Sequence, residues 1–245
     1  MNIVTIDPSL TSTGVCINGA PMVFVGEHVA LSKTKMKQWF ERSDDHCKIN
    51  LISKVPDDES FSLSEVSKLN FFNSVANKII DTIDKAVIST DNTLIVIEGY
   101  SYSSAAGPLI DLVTFGTLLR YKIFERFPKW ELIVLAPTTV KKLVAKLTYD
   151  PIKKGKQTVY RNKQGVAGGS FKKHDIYKAL TENNSIQCDW VNFLREFQDE
   201  VMELKSVPKP IEDINDSVSM YYAIKKEFES CNQELDATIS SLSVV

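Results

Sequence analysis

The chain has 245 residues, 43% of them hydrophobic and 24% charged, with a formal net charge of −2. That composition describes a globular protein able to bury a core, and it excludes collagen-like, low-complexity and disulfide-scaffold classes. No apolar run approaches the ~20 residues of a membrane span and the N-terminus shows no signal-peptide pattern, so no membrane partner is expected and the location is expected to be cytoplasmic (host cytoplasm for a viral gene). Cys16, Cys47, Cys188 and Cys231 lie far apart without paired spacing, which points to reduced thiols rather than a zinc site or disulfides.

In chain order, residues 3–7 read as a buried strand ending in an acid, and the Pro8 to Gly14 stretch supplies turn chemistry before a second strand at 15–17. Asn18-Gly19 is a hairpin signal, so residues 22–25 complete a three-stranded antiparallel meander. Residues 33–60 are polar, hold no period and read as an insertion without assignable chemistry. From about Ser64 to Ile83, apolar residues recur at three- and four-residue steps, which predicts a helix. Residues 93–98 form a strand whose continuous apolar run requires cover on both faces and which ends in Glu98. A long helix over 104–127, a buried strand at 132–135 and a helix from Pro137 to about Leu147 follow. Residues 148–171 read as a long mobile loop, then helices fall near 172–182, 190–205 and 211–228. The expected architecture is a single α/β domain over 1–230, with insertions near 33–60 and 148–171 and a C-terminal tail at 231–245.

Charge is unevenly spread. Residues 141–173 carry ten cations against one acid: Lys141, Lys142, Lys146, Lys153, Lys154, Lys156, Arg161, Lys163, Lys172 and Lys173 oppose only Asp150. Such a block repels itself and has phosphates as its natural partner, the alternative being a solvated loop.

Carboxylates occupy special positions in three places: Asp7 at the end of the first strand, Glu98 at the end of a central strand, and Asp213 with Asp216 opening the last helix. Singly, Asp7 reads as a turn former and either helix acid as a cap or dipole partner. Glu98 follows four buried apolar residues, where a carboxylate is costly unless paired, hydrogen-bonded or bound to a cation. Asp213 and Asp216 share a helix face and repel each other unless a cation offsets them. Carboxylates without a nearby His or Cys pair suit Mg²⁺ or Mn²⁺, and two such ions about 3.5–4 Å apart support phosphodiester hydrolysis.

Ile6-Asp7-Pro8-Ser9 with Thr13-Gly14, the strand ending at Glu98, and Asp213-Ile214-Asn215-Asp216-Ser217 opening a helix resemble the RuvC-type Holliday junction resolvases, a family of RNase H-like nucleases. The resemblance implies a mixed five-stranded sheet, an antiparallel meander plus parallel strands, flanked by helices. It implies that Asp7, Glu98, Asp213 and Asp216 are catalytic and hold two Mg²⁺ ions, with Mn²⁺ as a substitute. It further implies a homodimer, branched DNA as partner, and basic residues near the scissile phosphate within Lys141/Lys142 and Lys172/Lys173. Which lysine of each pair acts stays open. The segments 33–60 and 148–171 exceed a minimal member of the family, and Gly99 stands where a larger residue is common.

Tyr100 and Tyr102 read either as stacking platforms for unpaired bases at a junction centre or as ordinary packing. The helix over 104–127 is apolar around much of its circumference, so it is either core or half of a dimer interface. Asp7 followed by Ser9, Thr11, Thr13 and Gly14 also resembles the phosphate hairpin of actin-like sugar kinases and ATPases, but no second glycine-rich loop is present and no nucleotide cofactor is expected. An inactive RNase H-like nucleic-acid-binding module accounts for the basic block but not for the four acids.

Overall fold

The computed structural model describes residues 1–30, 34–53, 60–87, 92–100, 106–155 and 157–242. The meander forms as the turn chemistry dictates. Strands β1 (Asn2–Asp7), β2 (Ser12–Ile17) and β3 (Ala20–Gly26) are antiparallel neighbours. Asn18 and Gly19, both at positive φ (53° and 89°), make the tight connection between β2 and β3. A short helix α1 (Glu27–Ala30) and helix α2 (Thr34–Ser43) lead to strand β4 (Lys48–Ile52), which pairs parallel with β3. Helix α3 (Phe61–Ala86) starts at Ser60, whose hydroxyl accepts from the Leu63 amide at 3.2 Å. Strand β5 (Thr93–Glu98), helix α4 (Ala106–Arg126) and strand β6 (Glu131–Leu135) follow, β5 lying parallel to both β1 and β6.

The six-stranded order is β4-β3-β2-β1-β5-β6. Five of these strands make the antiparallel meander plus parallel pair expected of an RNase H-like sheet. The sixth comes from the segment read as an insertion, and it escapes the sequence pattern because its polarity is inverted. Asn50 is buried, donating from Nδ2 to the Val23 carbonyl at 3.3 Å, while Leu51 faces out.

Alternation along the central strands sorts side chains onto two cores. Val4, Ile6, Ile95 and Ile97 face α3 and α4 together with Phe72, Ile79, Phe115 and Leu119. Ile3, Leu94 and Val96 face the opposite layer, built by α5 (Pro137–Thr148), α6 (Lys173–Glu182), α7 (Asp189–Glu196), α8 (Gln198–Glu203) and α9 (Ile211–Leu242).

Four sequence expectations change. The strand read as buried at 132–135 is the sheet edge, where Ile133 and Val134 are exposed because the sheet ends there. The segment read as a mobile loop holds a hairpin of β7 (Pro151–Lys154) and β8 (Gln157–Tyr160), an Arg161–Ala167 bridge and a 3₁₀ turn at Gly168–Ser170. Asn162 anchors it: its Oδ1 accepts from the amides of Gln164 (3.1 Å) and Val166 (2.8 Å), and its Nδ2 donates to Asp175 at 2.7 Å. The helix expected near 190–205 breaks at Phe197 into α7 and α8. The last helix continues past Cys231 to Leu242, since neither Gly nor Pro interrupts that stretch. No helix among the described residues is long and apolar enough to cross a membrane.

Candidate active site

Parity places the first two carboxylates. In β1 the residues Ile3, Thr5 and Asp7 point to the α9 side, and in the parallel neighbour β5 so do Leu94, Val96 and Glu98. Thr5 pairs with Val96 and Ile6 with Ile97, so Asp7 and Glu98 end adjacent strands side by side on one face. The first turns of α9 bring Asp213 and Asp216 over the same strand ends.

Gly14 makes that approach possible. A Cβ at Gly14 would stand 1.9 Å from the Asp213 carbonyl oxygen, so only glycine lets the helix backbone come down on β2. Thr5 Oγ1 donates to the Ser217 carbonyl at 2.7 Å, tying strand to helix one turn further along. Ile214 and Val218 are fully buried, and Asp213 and Asp216 on other faces of the same turns are buried with them, so this part of the helix is enclosed around its circumference. Asn215 accepts from Trp190 Nε1 at 2.9 Å and fixes the helix against α7.

Crowding of like charge shows in the proton affinities. Burial first, then the charges of Glu98 and Asp216, hold the Asp7 carboxyl well above the usual carboxylate range. Glu98 is pushed up to about 7 by burial and by Asp216, with Lys173 and Lys141 pulling the other way. Burial raises Asp213 against the opposing pull of Lys209, and raises Asp216 against that of Lys173.

Two lysines answer these acids. Lys173 donates to Asp216 Oδ2 and lies 3.3 Å from Glu212. Although burial disfavours its charge, Asp216 and Asp7 hold its ammonium above the ordinary lysine range. Lys209 donates to both oxygens of Asp213, at 2.8 and 3.1 Å, and reaches Thr11 Oγ1 at 3.4 Å. An open cleft of about 280 Å³ lies above, lined by Asp7, Pro8, Asp213 and both lysines, with Pro108 and Leu112 of α4 on its other wall.

The donor set consists of carboxylate oxygens, and Asp216 Oδ1 is buried with no hydrogen-bond partner among the described residues, which fits a hard divalent cation. Among the described residues no three His, Cys, Asp or Glu side chains are grouped to hold an ion as they stand. Lys173 and Lys209 lie against two of the acids and supply the positive charge there.

The lysine pairs open in the sequence separate in the structure. Lys141 and Lys173 bear on Glu98. The Lys142 side chain runs instead along Gly169, and Lys172 opens α6 with its backbone amide bonded to Asp175 at 2.8 Å. The sequence reading missed Lys209 and Glu212. Glu212 directly precedes Asp213, and Lys209 lies one turn before it, a spacing that could have signalled an ion pair.

The remaining candidates are scattered. Tyr100 packs onto α4: its hydroxyl accepts from Arg120 and the guanidinium sits 4.9 Å from the ring centroid. A Cβ at Gly116 would come within 2.8 Å of that ring, so glycine there makes room for it. Tyr102 and Lys156 lie outside the described residues. Lys153 and Lys154 are exposed on the hairpin. Lys163 is 3.4 Å from Glu182, Lys146 is 2.7 Å from Glu227, and Arg161 donates to the Gly165 carbonyl.

The chain is similar to the Thermus thermophilus RuvC structure, with a TM-score of 0.43 and 10% identity over 93% of this chain and 96% of that chain. No protein-family model and no curated protein matches the sequence. The site therefore stands on its own geometry.

Proposed function

We propose that the protein is a divalent-metal-dependent endonuclease that resolves four-way or other branched DNA junctions by paired, symmetric nicks. The observation that carries the reading is the convergence of Asp7, Glu98, Asp213 and Asp216 from two strands and a helix, with proton affinities raised by burial and mutual repulsion. Mg²⁺ or Mn²⁺ held there would activate water and stabilise the leaving oxygen, giving 5′-phosphate and 3′-hydroxyl ends. The acids would hold the cation; Lys173 orients Asp216 and, with Lys141, keeps positive charge beside Glu98 for an incoming phosphate. Exposed Lys153 and Lys154 on the hairpin extend that positive charge away from the cleft along a DNA arm.

Two hydroxyls of the Asp7 loop, those of Thr11 and Thr13, are engaged within the protein, which weakens the kinase reading. Thr13 Oγ1 donates to the Ser9 carbonyl at 3.2 Å, and Thr11 meets Lys209. The deciding assay compares Mg²⁺-dependent cutting of a four-way junction with ATP hydrolysis and with binding alone. Cutting without ATP hydrolysis is expected, and binding without cutting in Mg²⁺ or Mn²⁺ would leave only the inactive module.

The paired nicks rest on a homodimer about α4. Phe115, Leu119 and Ile123 bury one stripe of this helix, while Ile110, Val113, Tyr121 and Phe124 expose another. Their spacing of three, eight and three residues keeps them on one face. Sedimentation is expected to report twice the chain mass, and Phe124→Glu to report a monomer that no longer nicks in pairs. A wild-type monomer at micromolar concentration that still makes paired nicks would overturn the dimer.

A further inference from the structure

A pocket of about 410 Å³ opens beside the carboxylate cleft, between α2 and the chain joining α8 to α9. Met36, Trp39, Leu204, Val207 and Pro208 give it an apolar wall. Trp39 is pinned by the Arg42 guanidinium, 4.8 Å from its ring centroid, and by an edge contact with Phe197 at 5.8 Å. The wall is thus built in advance. Polar groups gather at one end, where Lys209 and Glu212 line both this pocket and the carboxylate cleft. Lys209 holds Asp213, and Glu212 pairs with Lys173, so the two cavities share the side chains that position the acids.

The geometry points to this pocket as the receptor for one unstacked nucleobase of the strand being cut, the nucleotide next to the scissile phosphate. This rests on the nuclease reading above. A phosphate in the carboxylate cleft has its neighbouring base within one nucleotide of the shared wall, and an apolar chamber with a few polar groups at one end matches a base with its polar edge. Exposed Lys205 at the rim complements the backbone charge of the next phosphate. Extruding a base costs least where stacking is already broken, so the pocket favours a branch point over continuous duplex. The segment that carries Met36 and Trp39, without assignable chemistry in the sequence, thereby gains a role in substrate choice.

The test uses the full chain carrying Asp7→Asn, bound to four-way junctions with 2-aminopurine placed in turn at each nucleotide flanking the cut position. A change in emission confined to one flanking position is expected, and Leu204→Trp, which fills the pocket, should remove it. In the otherwise wild-type chain Leu204→Trp should slow cutting of the intact junction by about tenfold, the size of losing one stacked base. It should cut a junction abasic at that position as fast as the wild type does. A urea melt of Leu204→Trp matching that of the wild type guards against misfolding of the tryptophan variant. The assignment is overturned when no flanking position responds, or when Leu204→Trp slows intact and abasic junctions equally. Wild-type cutting of unmodified junctions separates the failures: cutting with no emission response removes only the pocket, whereas no cutting removes the nuclease reading itself.

Discussion

Like charges crowd together in two regions of this molecule, and their opposite treatment is instructive. At the strand ends, Asp7, Glu98, Asp213 and Asp216 are drawn into the packed layer under α9, where burial raises their proton affinities and Lys141, Lys173 and Lys209 answer them. On the hairpin, Lys153 and Lys154 are exposed, while Lys146, Lys163 and Lys173 of the same basic block find acids elsewhere in the fold. Buried repulsion is relieved by bound protons or by a counterion of fixed geometry, and solvated repulsion is screened and keeps a diffuse affinity for anions.

The sharpest way to break this contrast is at the buried end. Asp7→Asn keeps the side-chain shape and removes a charge, so junction cutting is expected to fall by more than about 100-fold while binding holds. Single-turnover nicking beside a gel-shift titration measures both, and full activity in the variant would remove the metal-site reading.

Stability should also report the buried acids. Glu98 keeps its proton to about pH 7 in the folded chain, against an ordinary value of 4.5, so the folded state binds more protons across that window. Metal-free stability should therefore fall as pH rises from about 4.5 through 7, by about 3 kcal/mol for this group. Urea melts across the window check the slope. Mg²⁺ should restore stability above pH 7, where Glu98 is ionised, and Glu98→Gln should remove this group's share of the slope.

Within the lysine pair at the head of α6, Lys173→Gln is expected to slow cutting by about tenfold, roughly 1.4 kcal/mol of barrier, and Lys172→Gln to leave it nearly unchanged. Equal effects in the nicking assay would show that the contact with Asp216 has no bearing on the chemistry.

The smallest effect belongs to the exposed region. Changing Lys153, Lys154 and Lys156 together to Ala should weaken junction binding severalfold and reduce the log–log salt slope by roughly 0.9 for each duplex phosphate no longer neutralised. Unchanged affinity and slope would mean that the DNA path runs elsewhere, over Lys141 and Lys173.

The sequence alone determined the meander, because Asn18-Gly19 admits the positive φ of its turn, and the central strand β5, because 94–97 is apolar on both faces. It also determined that Asp7 and Glu98 end strands and that Asp213 and Asp216 open a helix. Local pattern reaches that far because side-chain parity along a strand and spacing along a helix are properties of neighbours in the chain.

Only the tertiary structure decided which lysine of each pair faces the acids, since that depends on where α5 and α6 dock. It alone revealed Lys209 against Asp213, the reason for Gly14, and the edge strand β4 with Asn50 inside and Leu51 outside. It alone turned the basic loop into a hairpin, because β7 exposes every residue and so carries no hydrophobic period to read. Contacts between segments far apart in sequence follow from packing of whole layers, and no local pattern encodes them.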